Sequence, residues 1–385
     1  MNPLYASLPD TIFDVMSGLA RETNAINLGQ GFPEWDGPED IRRRAAEAVV
    51  AGPNQYPPMR GLPGLREAVA DHYGRLQGVA LDWKSEVTVT SGATEALAAA
   101  LLCVLSPGDE VVLFEPMYDS YLPMLRRAGA TAQFVRLKPP HWRIDPRELA
   151  AAFNEKTRAV VLNTPLNPSA SVFGPEDLAL IAAQCVKHDC IAISDEVWEH
   201  CVFDGAAHQS MLTAPGMRER TIKIGSAGKM FSMTGWKVGL ACAAPKLTEA
   251  FAKAHQFLTF TTPPNLQQAV AYGLAKPRAH FDDMREQLVR ARDRLALALK
   301  QEGFSVLPSA GTYFMGVDLR ASGIDMGDAD FAVRAVKECG VATIPFSAFY
   351  ASPPETSLVR LCFAKSDGTL DQGVERLAKA RRLMA

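Results

Sequence analysis

Two lysines eight residues apart, Lys229 and Lys237, stand among small and hydroxyl-bearing residues in the run Gly225-Ser226-Ala227-Gly228-Lys229-Met230-Phe231-Ser232-Met233-Thr234-Gly235-Trp236-Lys237. A lone lysine is ordinarily a solvated surface residue. Two in this setting suit a division of labour, one amine forming a Schiff base and the other a point charge for a phosphate. Three further clusters could join them. Ser91-Gly92-Ala93-Thr94-Glu95 is a small-residue turn opening a helix. Its backbone N–H groups can cradle a phosphate at the helix N-terminus, and it serves equally as a plain glycine turn. Thr164-Pro165-Leu166-Asn167-Pro168 is a stiff turn, either purely structural or a mount for the Asn167 amide. Asp195-Glu196 follows an apolar run. A carboxylate there either meets a partner, because burying its charge alone is costly, or caps a helix.

These clusters share one placement. Each follows a short apolar stretch that reads as a strand, at 86–90, 159–163, 190–194 and 221–224, and 110–114 is a further strand. Helix-like stretches over 95–105, 118–128 and 175–188 alternate with them. The alternation predicts an α/β sheet, mainly parallel and buried on both faces. In such sheets ligands sit beyond the carboxyl ends of the strands, where all four clusters fall. The last third differs, with a long charged amphipathic helix over 281–301, strands over 312–319 and 357–363, and a closing helix over 369–383. That pattern predicts a smaller α+β unit.

The bulk numbers frame this reading. A chain of 385 residues exceeds what one compact core usually holds, which predicts two domains. The net charge of -3 offers no basic excess for nucleic acid. Seven cysteines, odd in number, scattered and without a CxxC pair, read as reduced thiols of a cytoplasmic protein rather than disulfides or a metal site. Residues 1–10 lack the basic-then-apolar pattern of a signal peptide, and no run of about 18 apolar residues suggests a membrane span.

The lysine run resembles the cofactor-lysine signature of class I/II aminotransferases, the fold type I enzymes of pyridoxal 5′-phosphate (PLP). The resemblance continues, in the family's order, through Asn27-Leu28-Gly29-Gln30-Gly31-Phe32-Pro33, Gln55-Tyr56, the Ser91 to Leu97 loop, Glu115-Pro116-Met117-Tyr118, Asn163 to Pro168, Ser194 to Val197 and Val359-Arg360-Leu361. His255-Gln256-Phe257-Leu258-Thr259-Phe260 is similar to the kynurenine, glutamine and methionine aminotransferase branch. The resemblance implies a large PLP-binding domain over 45–278 with a mainly parallel seven-stranded sheet, a smaller α+β domain from 1–44 with 279–385, and a homodimer. It implies transfer of an amino group from an L-amino acid to a 2-oxo acid through pyridoxamine phosphate. Lys229 would form the internal aldimine and move the substrate proton, and Asp195 would pair with the pyridinium nitrogen to keep the ring an electron sink. Asn167 would donate to the ring O3′ and Tyr118 would stack on the ring. Gly92, Ala93, Thr94, Ser226 and Lys237 would hold the phosphate, with Tyr56 reaching in from the neighbouring subunit. Arg360 would grip the substrate carboxylate, beside Asn167 and the Gly31 N–H. Phe13, with Tyr56, Phe260 and Thr261 contributed across the dimer, would line a mostly apolar side-chain pocket for methionine, glutamine or aromatic substrates.

Two positions depart from the pattern. Lys237 stands where many relatives carry arginine, so it offers a point charge instead of a fork. Trp198 stands where the family's Asp-Glu-x-Tyr places tyrosine, and its single indole N–H leaves the second O3′ hydrogen bond in question. Two rival functions share the fold. A PLP-dependent C–S β-lyase would use the same deprotonation to expel a leaving group. A PLP-sensing regulator would carry a DNA-binding domain ahead of it, for which the roughly 40 residues before the large domain are too few.

Overall fold

In the computed structural model, which describes residues 1–385, the expected strands join into one seven-stranded sheet. Its strands in chain order are β1 (Val87–Thr90), β2 (Glu110–Glu115), β3 (Thr131–Arg136), β4 (Thr157–Asn163), β5 (Ile191–Asp195), β6 (Thr221–Ser226) and β7 (Gly239–Ala243). They lie in the spatial order β1-β7-β6-β5-β4-β2-β3. Strand β7 runs antiparallel to both its neighbours, and the other pairs are parallel.

Alternation along β7 shows why the sheet needs cover on both sides. Successive side chains of a strand point to opposite faces. Ala241 and Ala243 pack with Leu97 of helix Ala93–Val104 and Phe251 of helix Pro245–Leu258. Leu240 and Cys242 pack the other way, with Tyr73 of helix Pro63–Gln77 and Val270 of helix Pro264–Leu274. Every residue of β1, β6 and β7 is buried. This is the condition under which strands read as continuous apolar runs.

The strands missing from the sequence reading are β3 and β7. Strand β3 is a half-exposed edge of mixed polarity, Thr-Ala-Gln-Phe-Val-Arg. Strand β7, Gly-Leu-Ala-Cys-Ala, is built from small residues and lacks the β-branched and aromatic types that mark a strand. Two ends also shift. Strand β5 includes Asp195 as its last residue, and β6 runs on to Ser226.

The last third forms a four-stranded antiparallel sheet in the order Ile344–Pro345, Leu358–Cys362, Phe314–Asp318, Ser305–Val306. Helices Arg278–Gln301 and Asp367–Met384 bury Leu295, Leu299, Leu370 and Leu377 in the same apolar cluster as Met315 and Leu361 of that sheet. Ile26–Asn27 pairs in parallel with Val341–Ala342 and ties the N-terminal segment to this part. Helix Glu39–Ala51 instead buries Ile41 and Ala45 against Val270 and Leu274, so it runs through the junction expected near residue 45. No helix is long and apolar enough to cross a membrane. All seven cysteines are unpaired, and six of them are buried.

Candidate active site

The carboxyl ends of β4, β5 and β6 and the start of helix Ala93–Val104 converge on a cavity of about 100 Å³. Ala93, Thr94, Tyr118, Asn163, Asn167, Asp195, Trp198, Ser226 and Lys229 line it, so eight of the expected cofactor residues share one space. Gly92 and Lys237 meet beside it. Gly92 has φ of +84°, and a Cβ there would fall 2.9 Å from Lys237 Cε and 3.1 Å from its Nζ. The positive φ favours glycine, and the missing side chain leaves room for the Lys237 ammonium beside the N-terminus of the helix. Ser226 ends β6, and its hydroxyl accepts a hydrogen bond from the Lys229 N–H at 3.4 Å, turning the chain so that the lysine side chain enters the cavity.

Inside, Lys229 and Asp195 have unusual protonation. Lys229 is only partly exposed, and burial lowers its pKa to about 8. Burial pushes Asp195 up to about 6, against a hydrogen bond from the Tyr121 hydroxyl at 2.6 Å and one from the Val197 N–H at 3.3 Å. Lys229 Nζ lies 3.1 Å from the Tyr313 hydroxyl and 4.6 Å from the Trp198 ring centre. Trp198 stands edge-on to Tyr313 with ring centres 4.4 Å apart.

Tyr121 and Tyr313 were not singled out in the sequence. Tyr121 carries a signal that could have found it. It falls three residues after Tyr118, at the start of helix Tyr121–Arg127, and the two rings meet with centres 5.7 Å apart. Tyr313 arrives from 84 residues beyond Lys229, and no local pattern announces it.

Arg360 is fully buried without a carboxylate partner. Its Nη1 donates to Asn167 Oδ1 at 2.6 Å and its Nη2 to the Gly29 carbonyl at 2.9 Å, while Nε has no partner. The guanidinium lies 3.8 Å from the ring centre of Phe314, 5.1 Å from Phe13 and 5.3 Å from Phe349. Burial lowers its pKa to about 10. A buried cation with spare donors is costly unless an anion joins it. Gly31 borders the same place, since a Cβ there would fall 2.9 Å from Phe314 Cζ and 3.8 Å from Arg360 Nη2. Asn167 touches both halves, lining the cavity and accepting from Arg360.

Tyr56, Phe260 and Thr261 do not line the cavity within the chain. Tyr56 is 83% exposed and packs edge-on against Phe260 at 5.4 Å. The loop of Phe260 and Thr261 is joined to the cradle by the contact of Ser91 Oγ with Thr262 Oγ1 at 3.3 Å. A groove of about 1120 Å³ between helices Glu39–Ala51 and Pro264–Leu274 shares no lining residue with the Lys229 cavity.

A mainly parallel seven-stranded sheet with this lysine at its carboxyl edge defines a fold type I aminotransferase. The chain belongs to the aminotransferase class I and II family, matched over residues 23–377. It is 44% identical to the methionine aminotransferase of Escherichia coli over 98% of both chains. It is 36% identical to human kynurenine–oxoglutarate transaminase 1, over 94% of this chain and 93% of that one. Among solved structures, N-succinyldiaminopimelate aminotransferase from Mycobacterium tuberculosis superposes with a TM-score of 0.94 at 43% identity, covering 96% of this chain and 97% of that one. Members of this family use pyridoxal phosphate, and the residues present fit it. The glycine cradle under Lys237 suits a phosphate, Asp195 is an acid for a ring nitrogen, and Lys229 is a lysine of lowered pKa.

Proposed function

We propose that this aminotransferase uses PLP held by Lys229 to move the amino group of methionine, glutamine or an aromatic L-amino acid to a 2-oxo acid. The observation that carries the reading is the junction at Asn167, which lines the lysine cavity and accepts a hydrogen bond from a buried, unpaired Arg360. Gly92, Ala93, Thr94, Ser226 and Lys237 hold the phosphate, and Tyr118 covers the ring. Bound there, the ring supplies an electron sink for the charge left when the substrate loses its α-proton. The Lys229 amine takes that proton, and its lowered pKa leaves more of it unprotonated near neutrality than a solvated lysine. Asp195 would meet the ring nitrogen, whose positive charge would draw the carboxylate back toward ionisation. Arg360, beside Asn167 and Gly31, holds the carboxylate that amino and oxo acids have in common.

The side-chain preference follows from what surrounds Arg360. Phe13, Phe314 and Phe349 pack around it. Asp119, half-buried, is close enough to act electrostatically on it. An acidic neighbour opposes a distal carboxylate, whereas the phenyl rings suit thioether, amide or aromatic side chains. The active unit is a homodimer, supported by three exposed aromatics near the cradle, Tyr56, Phe257 at the end of helix Pro245–Leu258, and Phe260 just after it. A large domain over 45–278, its first helix beginning at Glu39, would carry the cofactor, with 1–44 and 279–385 forming the smaller domain.

An amino-donor panel against several 2-oxo acids, read with the absorption of the bound cofactor, tests this. Methionine, glutamine or phenylalanine should convert the spectrum and aspartate should do so poorly. A clear preference for aspartate overturns the specificity. Pyruvate formed from a cysteine conjugate without any oxo acid assigns the chain to β-lysis.

A further inference from the structure

We propose that Tyr313 is a positioning residue for Lys229, its phenol tethering the lysine amine to the carbonyl of Gly31. The inference rests on the aminotransferase reading only for what Lys229 does. The tether itself is geometric. Tyr313 Oη donates to the Gly31 carbonyl at 2.6 Å, which commits its only proton. Its lone pairs are left to accept from Lys229 Nζ at 3.1 Å. The ring is fixed by the edge-on contact of Trp198 at 4.4 Å and by Phe314 at 5.0 Å, and the side chain is 1% exposed. Burial holds the phenol well above its ordinary pKa, so it stays neutral and is not itself the acid or base. Lys229 makes no salt bridge, so this oxygen and the faces of Trp198 and of Tyr313 itself are the contacts of the amine.

The consequence is a mechanical link. Gly31 lies two residues from Gly29, whose carbonyl is held by Arg360 Nη2. One short segment therefore touches the arginine through Gly29 and, through Tyr313, the lysine. A shift of that segment when a carboxylate reaches Arg360 is transmitted to the amine. When the amine is not bonded to the cofactor, the tether gives it one defined place, which is the condition for efficient proton transfer.

Tyr313→Phe removes the oxygen and keeps the ring. The first arm uses cofactor-free protein, with trace acetylation across pH and mass spectrometry of the Lys229 peptide against surface lysines as reference. Losing the acceptor destabilises the ammonium, so the apparent pKa of Lys229 should fall by about half to one unit. The second arm uses the holoenzyme. The first half-reaction should slow about tenfold and its α-deuterium isotope effect should rise, while KM for amino and oxo acids stays within about twofold because Arg360 is untouched. Replacing Tyr313 with 3-fluorotyrosine weakens the acceptor without a cavity, and should move the labelling pKa the same way by a smaller amount. This keeps the test open should Tyr313→Phe misfold. An unchanged labelling pKa and isotope effect would reduce Tyr313 to packing and overturn the proposal. Failure of the protein to bind PLP would defeat the functional reading instead and leave the labelling result standing.

Discussion

Lys223 and Lys229 lie six residues apart on β6 and the turn that follows it, and they end in opposite states. Lys223 is wholly buried and touches Glu196 Oε2 at 2.6 Å and Glu199 Oε2 at 2.5 Å. These carboxylates push its pKa above the usual lysine range, and Lys223 with His208 holds Glu196 well below the usual carboxylate range. Glu196 also accepts from Ser194 Oγ at 2.8 Å, Ser210 Oγ at 3.0 Å and the Met211 N–H at 3.0 Å. Lys229 has no such partner, and burial, the largest influence on it, acts downward and outweighs the weak pull of Asp195. Asp195 and Glu196 repeat the contrast side by side, one raised and one lowered. Burial is common to both sites. A balanced charge becomes structural, and an unbalanced one becomes reactive. The grouping of Glu196, Glu199 and His208 has the outline of a metal site, but the Lys223 ammonium already sits between its two carboxylates, where a cation would bind.

Exchanging what each lysine loses gives the sharpest break. Lys229→Ala should abolish turnover and the borohydride-trapped lysine peptide, with no loss of thermal stability, because it removes an amine that burial disfavours. A trapped cofactor on any other lysine would end the assignment. Lys223→Met should do the reverse to the fold, leaving two buried carboxylates uncompensated at about 3–5 kcal/mol, read by denaturant unfolding. The pH dependence should also invert. In the parent, Glu196 has a depressed pKa, so its contribution is present above the ordinary value of 4.5 and is lost as pH falls below it. The raised pKa of Lys223 contributes below 10.5 and is lost above. Without the ammonium, the glutamates should bind protons more readily folded than unfolded. Lys223→Met should therefore regain stability in the acid range where the parent loses it.

Arg360 is the next largest expected effect, and it tests whether an unpaired buried cation marks the substrate site. Arg360→Ala should weaken amino acid and oxo acid alike by about 1.5–3 kcal/mol, the range for a hydrogen bond to a charged group. Saturation kinetics unchanged in both half-reactions would assign the carboxylate to another residue. Tyr121→Phe is smaller. It removes the 2.6 Å hydrogen bond to Asp195 and should raise that carboxyl further, loosening PLP by about 1 kcal/mol in equilibrium dialysis. Equal affinity would mean that Asp195 is set by burial alone.

The site was more legible in the sequence than its tuning. The residues brought to the cavity follow strands whose apolar runs stand out, so position past a strand end located Asn167, Asp195 and Lys229 together. Strands β3 and β7 were hidden because an edge of mixed polarity and a run of small residues do not announce themselves. Lys223 reads in the sequence as part of an apolar strand, although it pairs with Glu196 and Glu199 with all three side chains fully buried. Such partners come from segments 24 and 27 residues away, and their meeting is fixed by sheet order rather than by spacing. Tyr313 is the same case at longer range.

Trp198 tests the contrast at its finest grain, because it changes the surroundings of the reactive lysine without adding a charge. Its ring centre lies 4.6 Å from Lys229 Nζ, and its indole N–H donates to no protein atom. A ring face beside a cation favours the protonated form, and indole does so better than phenol. A phenol at this place would add a donor to the cofactor O3′, which favours the unprotonated form. Both effects have one sign, so Trp198→Tyr should lower the apparent pKa of the nitrogen that joins Lys229 to the cofactor, by up to about one unit. The measurement is a pH titration of the cofactor absorption band in the parent and the variant. No change, or a rise, would mean that water or the indole N–H already supplies the missing donor. Trp198→Phe separates the causes, since it weakens the ring face and adds no donor. A fall as large as that of Trp198→Tyr assigns the effect to the ring, and a fall confined to the tyrosine variant assigns it to the hydrogen bond.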